Sequence, residues 1–158
     1  MKIEHDKLKE PPVAYGREFT YGEYYQWNFD YMVELIRGKI YKMSPTPSLL
    51  HQRVVGNFHL QFGNYLKGGK CSVFISPLDV VLPIQNRKNK NKNTTGVQSD
   101  LVVVCDPSKL DEACCFGVPD LLVEAISQHT KEKDIRLKYE VYEEVGVKEY
   151  WVVYPLER

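Results

Sequence analysis

Apolar residues recur at intervals of three and four positions in two long segments, and this spacing is typical of amphipathic helices. The first segment spans residues 48–67 and ends before Gly68-Gly69, and the second spans residues 131–145 and ends before Gly146. A shorter helix is predicted over residues 21–27, because Thr20 and Glu23 have the spacing of a capping box.

Short runs rich in valine, leucine and isoleucine predict the strands. Residues 33–36 and 39–43 flank Arg37-Gly38, a two-residue link that predicts a hairpin. Further strands are predicted within residues 71–82, 100–105, 120–127 and 149–154. The second and third of these are the most apolar and indicate central strands covered on both faces. Residues 106–119 are rich in turn formers and predict a surface connection.

This order of elements predicts a single layered α/β domain without repeats or an interdomain linker. A chain of 158 residues is long enough to bury a substantial core. We assign residues 1–18 to an N-terminal leader and residues 19–158 to the domain. The domain is expected to be a mixed sheet flanked by helices, with an added N-terminal helix and hairpin.

Charge and composition narrow the functional classes. The 21 lysines and arginines balance the 21 aspartates and glutamates, so no general field attracts a polyanion and any nucleic-acid contact is expected to be local. No run approaches the roughly 20 apolar residues of a membrane span, and the charged N-terminus does not resemble a signal peptide. We therefore expect a soluble cytoplasmic protein whose four cysteines, at positions 71, 105, 114 and 115, are free thiols.

The most basic stretch of the chain lies within residues 85–96, where lysines and an arginine alternate with asparagines. This composition predicts a mobile loop that does not pack against the domain. Two interpretations remain open, a solvated hairpin tip and a flexible arm that contacts phosphates. The basic residues concerned are Arg87, Lys88, Lys90 and Lys92.

Two carboxylates interrupt the apolar strands. Asp100 precedes LVVV, and Glu124 lies within LLVEAI. An ionised carboxylate in an apolar strand needs compensation, and a divalent cation or a pairing lysine or arginine at a strand end could supply it. Asp120 is the weaker partner for Glu124, because four residues of strand separate the two by about 13 Å, whereas neighbouring strands lie only about 4.8 Å apart.

The same segments carry a family resemblance. The runs VELIRGKIYKMSP, HQRVVGNFHLQF, VQSDLVVV, PDLLVEAIS and TKEKDIRLKYEVYEEVGVKEYWVVYP resemble, in this order, the Uma family of putative restriction endonucleases within the PD-(D/E)xK nuclease superfamily. The most specific part is the four-residue spacing of Thr130, Asp134, Lys138 and Tyr142, followed by GVKEYWVV. The resemblance covers the chain from about Tyr21 onward and implies a restriction-endonuclease-like fold.

The resemblance also implies a catalytic site. Asp100 and Glu124 would bind Mg²⁺ or Mn²⁺, with Glu34 as a possible third ligand. The superfamily pattern places a lysine two residues after the glutamate, where this chain has Ile126. Lys138 looks like the relocated lysine and would stabilise the phosphate electrostatically. The alternative is a surface lysine paired with Asp134 one turn earlier.

Two smaller questions concern residues near these motifs. His51 lies on the long helix and could face the site, although a single helical histidine more often serves packing. Ser127 and Thr130 are expected to cap the second long helix rather than act as nucleophiles.

The leading hypothesis is a metal-dependent endonuclease that hydrolyses DNA phosphodiester bonds, with Asp100, Glu124 and Lys138 as catalytic residues. A homodimer would suit the cutting of both strands of a duplex. The first alternative is a catalytically inactive nuclease fold that acts as a nucleic-acid-binding or regulatory module. The second is a structural oligomerisation domain.

Overall fold

The computed structural model describes residues 17–43, 47–126 and 132–155. Its α-helices are α1 (Tyr21–Tyr24), α2 (Leu49–Leu66) and α3 (Glu132–Val145). Its strands are β1 (Val33–Ile36), β2 (Lys39–Lys42), β3 (Ser72–Ile75), β4 (Asp79–Val81), β5 (Gly96–Val97), β6 (Leu101–Val104), β7 (Cys114–Phe116), β8 (Leu121–Ala125) and β9 (Glu149–Val153). Most of the leader and the proposed capping residues Ser127 and Thr130 lie outside the described residues.

Two mixed sheets form the body of the fold. The first has five strands in the order β2-β1-β5-β4-β7, and the second has four in the order β3-β6-β8-β9. In each sheet one pair is parallel, β4 with β7 and β8 with β9. The predicted α/β class with mixed sheets and flanking helices is confirmed. The structure adds that the strands form two sheets, and that the N-terminal hairpin belongs to the first of them.

The predicted helix starts and the hairpin turn follow from local chemistry. Thr20 caps α1, and the reciprocal bond from its backbone N–H to Glu23 completes the predicted capping box. The hairpin between β1 and β2 turns at Arg37 and Gly38, which have φ angles of 49° and 75°. Positive φ at both central residues is the geometry that best matches the twist of a two-residue hairpin.

The core fills the spaces on both sides of the two sheets. Buried residues of β4, β6 and β8 pack against Val141 and Tyr142 of α3. The other face of the second sheet packs against Phe58, Phe62 and Leu66 of α2. Strands β6 and β8 are therefore central and covered on both faces, as predicted. No helix in the described part of the chain has both the length and the apolar content to cross a bilayer.

Two segments differ from the sequence prediction. Residues 106–119 were expected to form a surface connection, but they contain β7 with the buried Cys114 and Cys115. The basic stretch was expected not to pack, but it forms 3-10 turns at Ile84–Asn86 and Lys90–Lys92. It packs because the buried Asn93 donates to the carbonyls of Arg87 and Asn89, at 3.1 and 2.9 Å.

The prediction of free thiols is wrong for half of the cysteines. Cys71 and Cys105 form a disulfide, whereas Cys114 and Cys115 are free. The cause lies in the register of β3 and β6, in which Ser72 faces Val104. Extending this antiparallel ladder by one residue places Cys71 opposite Cys105, where the side chains are close enough to bond.

Candidate active site

A cleft of about 370 Å³ brings together side chains from seven helices and strands of the fold. All four residues predicted for the site line this cleft, and His51 of α2 joins them. The predicted residues are Glu34 of β1, Asp100 immediately before β6, Glu124 of β8 and Lys138 of α3.

Lys138 lies between two of the carboxylates. Its Nζ atom is 2.7 Å from Oε1 of Glu34 and 2.9 Å from Oε1 of Glu124, and it donates to the carbonyl of Gln98 at 3.2 Å. The side chain of Lys138 is only 10% exposed. Lys138 is therefore a buried member of an ion network, and the prediction that it joins the acidic site is supported by its position. The side chain of Asp134, its alternative partner, lies outside the described part of the structure.

The spacing of α3 explains why this lysine points inward. Lys138, Val141 and Tyr142 lie three and four residues apart, so they share one face of the helix. Val141 and Tyr142 are buried in the core, and this anchors the face toward the sheets. The hydroxyl of Tyr142 shares a hydrogen bond of 2.9 Å with Ser99 and lies 3.5 Å from Oε1 of Glu124.

Asp100 is held by a backbone N–H and by a histidine side chain. Its Oδ2 atom accepts a hydrogen bond from the backbone N–H of Ala125 at 2.8 Å and lies 3.3 Å from Nε2 of His51. Because Leu101 pairs with Val123 in the antiparallel register of β6 and β8, Asp100 lies beside Glu124 across the sheet. Ser48 orders the first turn of α2 by accepting the N–H of His51.

Asp120, the alternative partner for Glu124, is not part of this cleft. Its Oδ2 atom accepts the backbone N–H of Cys105 at 2.7 Å, beyond the far end of β6. This hydrogen bond gives the Asp120 carboxylate a partner outside the cleft. The geometry therefore favours Asp100 over Asp120 as the partner of Glu124, because Asp100 lies directly across the sheet from it.

Each of the three cleft carboxylates is anchored through one oxygen. Oε1 of Glu34 accepts the backbone N–H of Gln98 at 2.7 Å in addition to Lys138. Oδ2 of Asp100 and Oε1 of Glu124 have the contacts described above. From the described residues, the second oxygen of each carboxylate receives no hydrogen bond. Among the described residues, the site thus fixes each side chain through one oxygen and places no donor on the other.

The chemistry of these donors fits a hard divalent cation. Carboxylate oxygens suit Mg²⁺ and Mn²⁺, whereas thiolates and clustered histidines would suit zinc or copper. Within residues 17–43, 47–126 and 132–155, however, no three histidine, cysteine, aspartate or glutamate side chains converge closely enough to form a complete metal site. In this arrangement the positive charge between Glu34 and Glu124 comes from Lys138.

Burial and charge set the protonation of the network. Burial raises the pKa of Glu124 to about 7; Lys138 opposes this rise, and Glu34 and Asp100 add to it. Burial alone would lower the pKa of Lys138, but the carboxylates of Glu124 and Glu34 raise it well above the ordinary value. Lys138 therefore remains a fixed cation at neutral pH, and Glu124 is the group that can change charge there.

Sequence reasoning did not identify Gln98 as a site residue. Its backbone N–H holds Glu34 and its carbonyl receives Lys138, but backbone contacts leave no signal in residue type. The basic residues at positions 87, 88, 90 and 92 are not among those that line the cleft. Two of them are engaged elsewhere, because Arg87 donates to the carbonyl of Lys92 and Lys90 pairs with Asp111.

Known proteins with a similar sequence or structure are described as nucleases. The sequence profile of the Uma2 family, described as putative restriction endonuclease, matches residues 21–158. The structure is similar to the crystal structure of a putative nuclease belonging to DUF820 from Anabaena variabilis, with a TM-score of 0.69 and 16% identity. The similarity covers 87% of this chain and 74% of that chain. No curated protein matches the sequence.

Proposed function

The chain belongs to the Uma2 family of putative restriction endonucleases, and from this membership together with the cleft we propose that it is a metal-dependent nuclease that hydrolyses phosphodiester bonds in DNA. The observation that carries the proposal is the convergence of Glu34, Asp100, Glu124 and Lys138 in one cleft. In this proposal Asp100 and Glu124 would hold Mg²⁺ or Mn²⁺, with Glu34 as the candidate third ligand, and the ion would polarise the phosphodiester and lower the pKa of a bound water.

The side chains have separable roles in this proposal. Lys138, a fixed cation, offsets the negative charge that develops on the phosphate as the bond to the leaving oxygen breaks. The Ala125 N–H and His51 keep Oδ2 of Asp100 in place, so that its other oxygen faces the ligand. Glu124 must lose its proton to act as a ligand, and its pKa of about 7 makes metal binding stronger above neutral pH.

The test is cleavage of labelled DNA by the purified protein with Mg²⁺ or Mn²⁺. Asp100→Asn and Glu124→Gln are each expected to lower the rate by about 100-fold or more, which is typical for removal of a key electrostatic group. Asp120→Asn is the matched control, because this aspartate bonds Cys105 outside the cleft. Cleavage that survives Asp100→Asn would refute the assignment of the site.

One observation favours a second candidate, a nuclease fold that binds nucleic acid or regulates without cutting. Lys138 pairs with both Glu34 and Glu124, so the protein itself already balances part of the negative charge that a metal would balance. Calorimetry separates the two functions. Binding of Mn²⁺ at micromolar concentration, lost in Glu124→Gln, supports the nuclease, whereas no binding at millimolar concentration supports the second candidate.

A further inference from the structure

We infer that the cleft accepts an unpaired nucleotide, and that the substrate class is single-stranded DNA rather than an intact duplex. This inference rests on the proposed function and names the substrate of the same site. Its starting point is the size of the cleft, about 370 Å³. This volume is near the lower end of the range for pockets that enclose small organic ligands, and a duplex could only lie across its mouth.

The walls of the cleft are apolar around the carboxylates. The described apolar side chains at the walls include Met32, Tyr41, Met43, Ile75, Pro77 and Ile126. Met32 and Ile75 are 48% and 45% exposed, so apolar surface faces solvent at the edge of a cleft with a charged centre. Such surface suits the flat face of a nucleobase, which duplex DNA hides in its own stack.

The charges of the cleft do not suit the backbone of a duplex. A duplex carries one negative charge per roughly 1.7 Å of its length, and proteins bind it by neutralising several phosphates with lysine and arginine. Among the described residues that line the cleft, the lysines are Lys42 and Lys138, and Lys138 already pairs with two carboxylates. The whole chain has a net charge of zero, so no excess of positive charge elsewhere makes up for the few lysines of the cleft.

Tyr41 provides an aromatic ring beside the acidic centre. In the antiparallel register of β1 and β2, Tyr41 is the direct partner of Glu34, and direct partners point to the same face of a sheet. Both side chains line the cleft. A base stacked on Tyr41 would therefore be next to the carboxylates, and stacking on aromatic rings is the common means of binding single strands.

The experiment compares a fluorescently labelled single-stranded DNA with the same strand annealed to its complement. Glu124→Gln is the binding form of the protein, because it prevents turnover, and since this variant is also expected to lose Mn²⁺, anisotropy is measured without divalent ions. We expect the single strand to bind at least about tenfold more tightly than the duplex, which corresponds to the gain from stacking one base. Single-stranded RNA of the same sequence is included to measure discrimination by sugar.

Three variants test whether the cleft walls cause the preference. Tyr41→Leu, in the Glu124→Gln background, is expected to weaken single-strand binding about tenfold and leave duplex binding unchanged. Met32→Ser should weaken it by a smaller factor, and because Met32 is half exposed, the substitution removes little buried apolar surface. Tyr139→Leu is the matched control, since Tyr139 is exposed on α3 and does not line the cleft.

The failures of the inference and of the proposed function are distinguishable. If wild-type protein cuts duplex as fast as single strands, or if Tyr41→Leu and Met32→Ser both bind like the parent, the inference is overturned while the nuclease stands. If no DNA is cut with any metal but single strands bind and depend on Tyr41, the proposed catalysis fails and the inferred ligand class stands.

Discussion

The two sides of the cleft hold their carboxylates by different physical means. On one side, Glu34 and Glu124 share the ammonium group of Lys138, and these three side chains are 9%, 13% and 10% exposed. On the other side, Asp100 is held by a backbone N–H and by His51, and it is 21% exposed. On the first side, Lys138 compensates part of the charge of the carboxylates. The second side is oriented and relies more on solvent or a ligand for compensation.

This difference separates stability from ligand binding. A buried ion network contributes little when intact but is strongly destabilising when one partner is removed, because an uncompensated charge remains in the interior. A carboxylate held by a backbone N–H and a histidine at the edge of solvent has a smaller penalty, because water reaches it. We therefore expect substitutions on the Lys138 side to change folding stability, and substitutions on the Asp100 side to change binding.

Lys138→Met should have the largest effect. Removal of the ammonium leaves Glu34 and Glu124 facing each other without a cation, and we expect the free energy of unfolding to fall by about 3–5 kcal/mol. Chemical denaturation in a chelating buffer measures this free energy of unfolding for the wild type and the variant. Added Mn²⁺ should restore part of the loss, because a bound cation stabilises the folded state by mass action.

Arg136→Met is the control for this prediction. Arg136 lies on the same helix and pairs with Glu140, but the arginine is 80% exposed. Exposed pairs of this kind contribute at most about 1 kcal/mol, so the change should be small. Equal losses in the two variants would mean that burial of Lys138 has no energetic consequence.

A pH dependence of stability is the second effect. Because the pKa of Glu124 is raised from 4.5 to about 7, the folded protein holds a proton between these pH values that the unfolded chain has released. The stability from this proton is complete below pH 4.5 and is lost as the pH rises through about 7. The loss is on the order of 3 kcal/mol, at about 1.4 kcal/mol per pKa unit.

Glu124→Gln isolates this contribution. The substituted amide does not titrate, so the difference in stability between wild type and variant should change between pH 4.5 and 7.5, measured without divalent ions. If the difference is constant over this range, the raised pKa has no effect on folding.

The sequence indicates some parts of the site because they violate a local rule. Asp100 and Glu124 are charged residues in apolar strands, and this conflict draws attention without any structure. Lys138 and Glu34 are both indicated by the family resemblance, but the contact between them is not, because the first sheet must pack beside the second before the two side chains can meet. The hairpin and helices are predictable because their signals are local.

Other features depend on register and on short elements. Strand β5 has two residues and β7 has three, too few for any periodicity to emerge. The disulfide between Cys71 and Cys105 depends on the pairing of β3 with β6, which residue types alone do not fix. The position of His51 depends on how α2 packs on the second sheet. For this reason the sequence alone favours a packing role for His51 over a contact with the site.

The smallest predicted effect tests whether His51 positions Asp100. His51→Ala removes one of the two contacts on Oδ2, and we expect Mn²⁺ to bind about tenfold more weakly, as when a residue that orients a metal ligand is lost. The free energy of unfolding should fall by only about 1 kcal/mol, the contribution of one hydrogen bond. Calorimetry and denaturation measure the two quantities separately.

His59→Ala provides the matched control, because His59 lies on the same helix but is exposed. His51→Gln should recover part of the affinity, since its amide can donate to Asp100 where alanine cannot. If His51→Ala binds Mn²⁺ as tightly as wild type while Asp100→Asn does not bind, the Ala125 N–H alone fixes the aspartate. His51 would then have no part in orienting Asp100, and the two sides of the cleft would differ in the charge that surrounds their carboxylates.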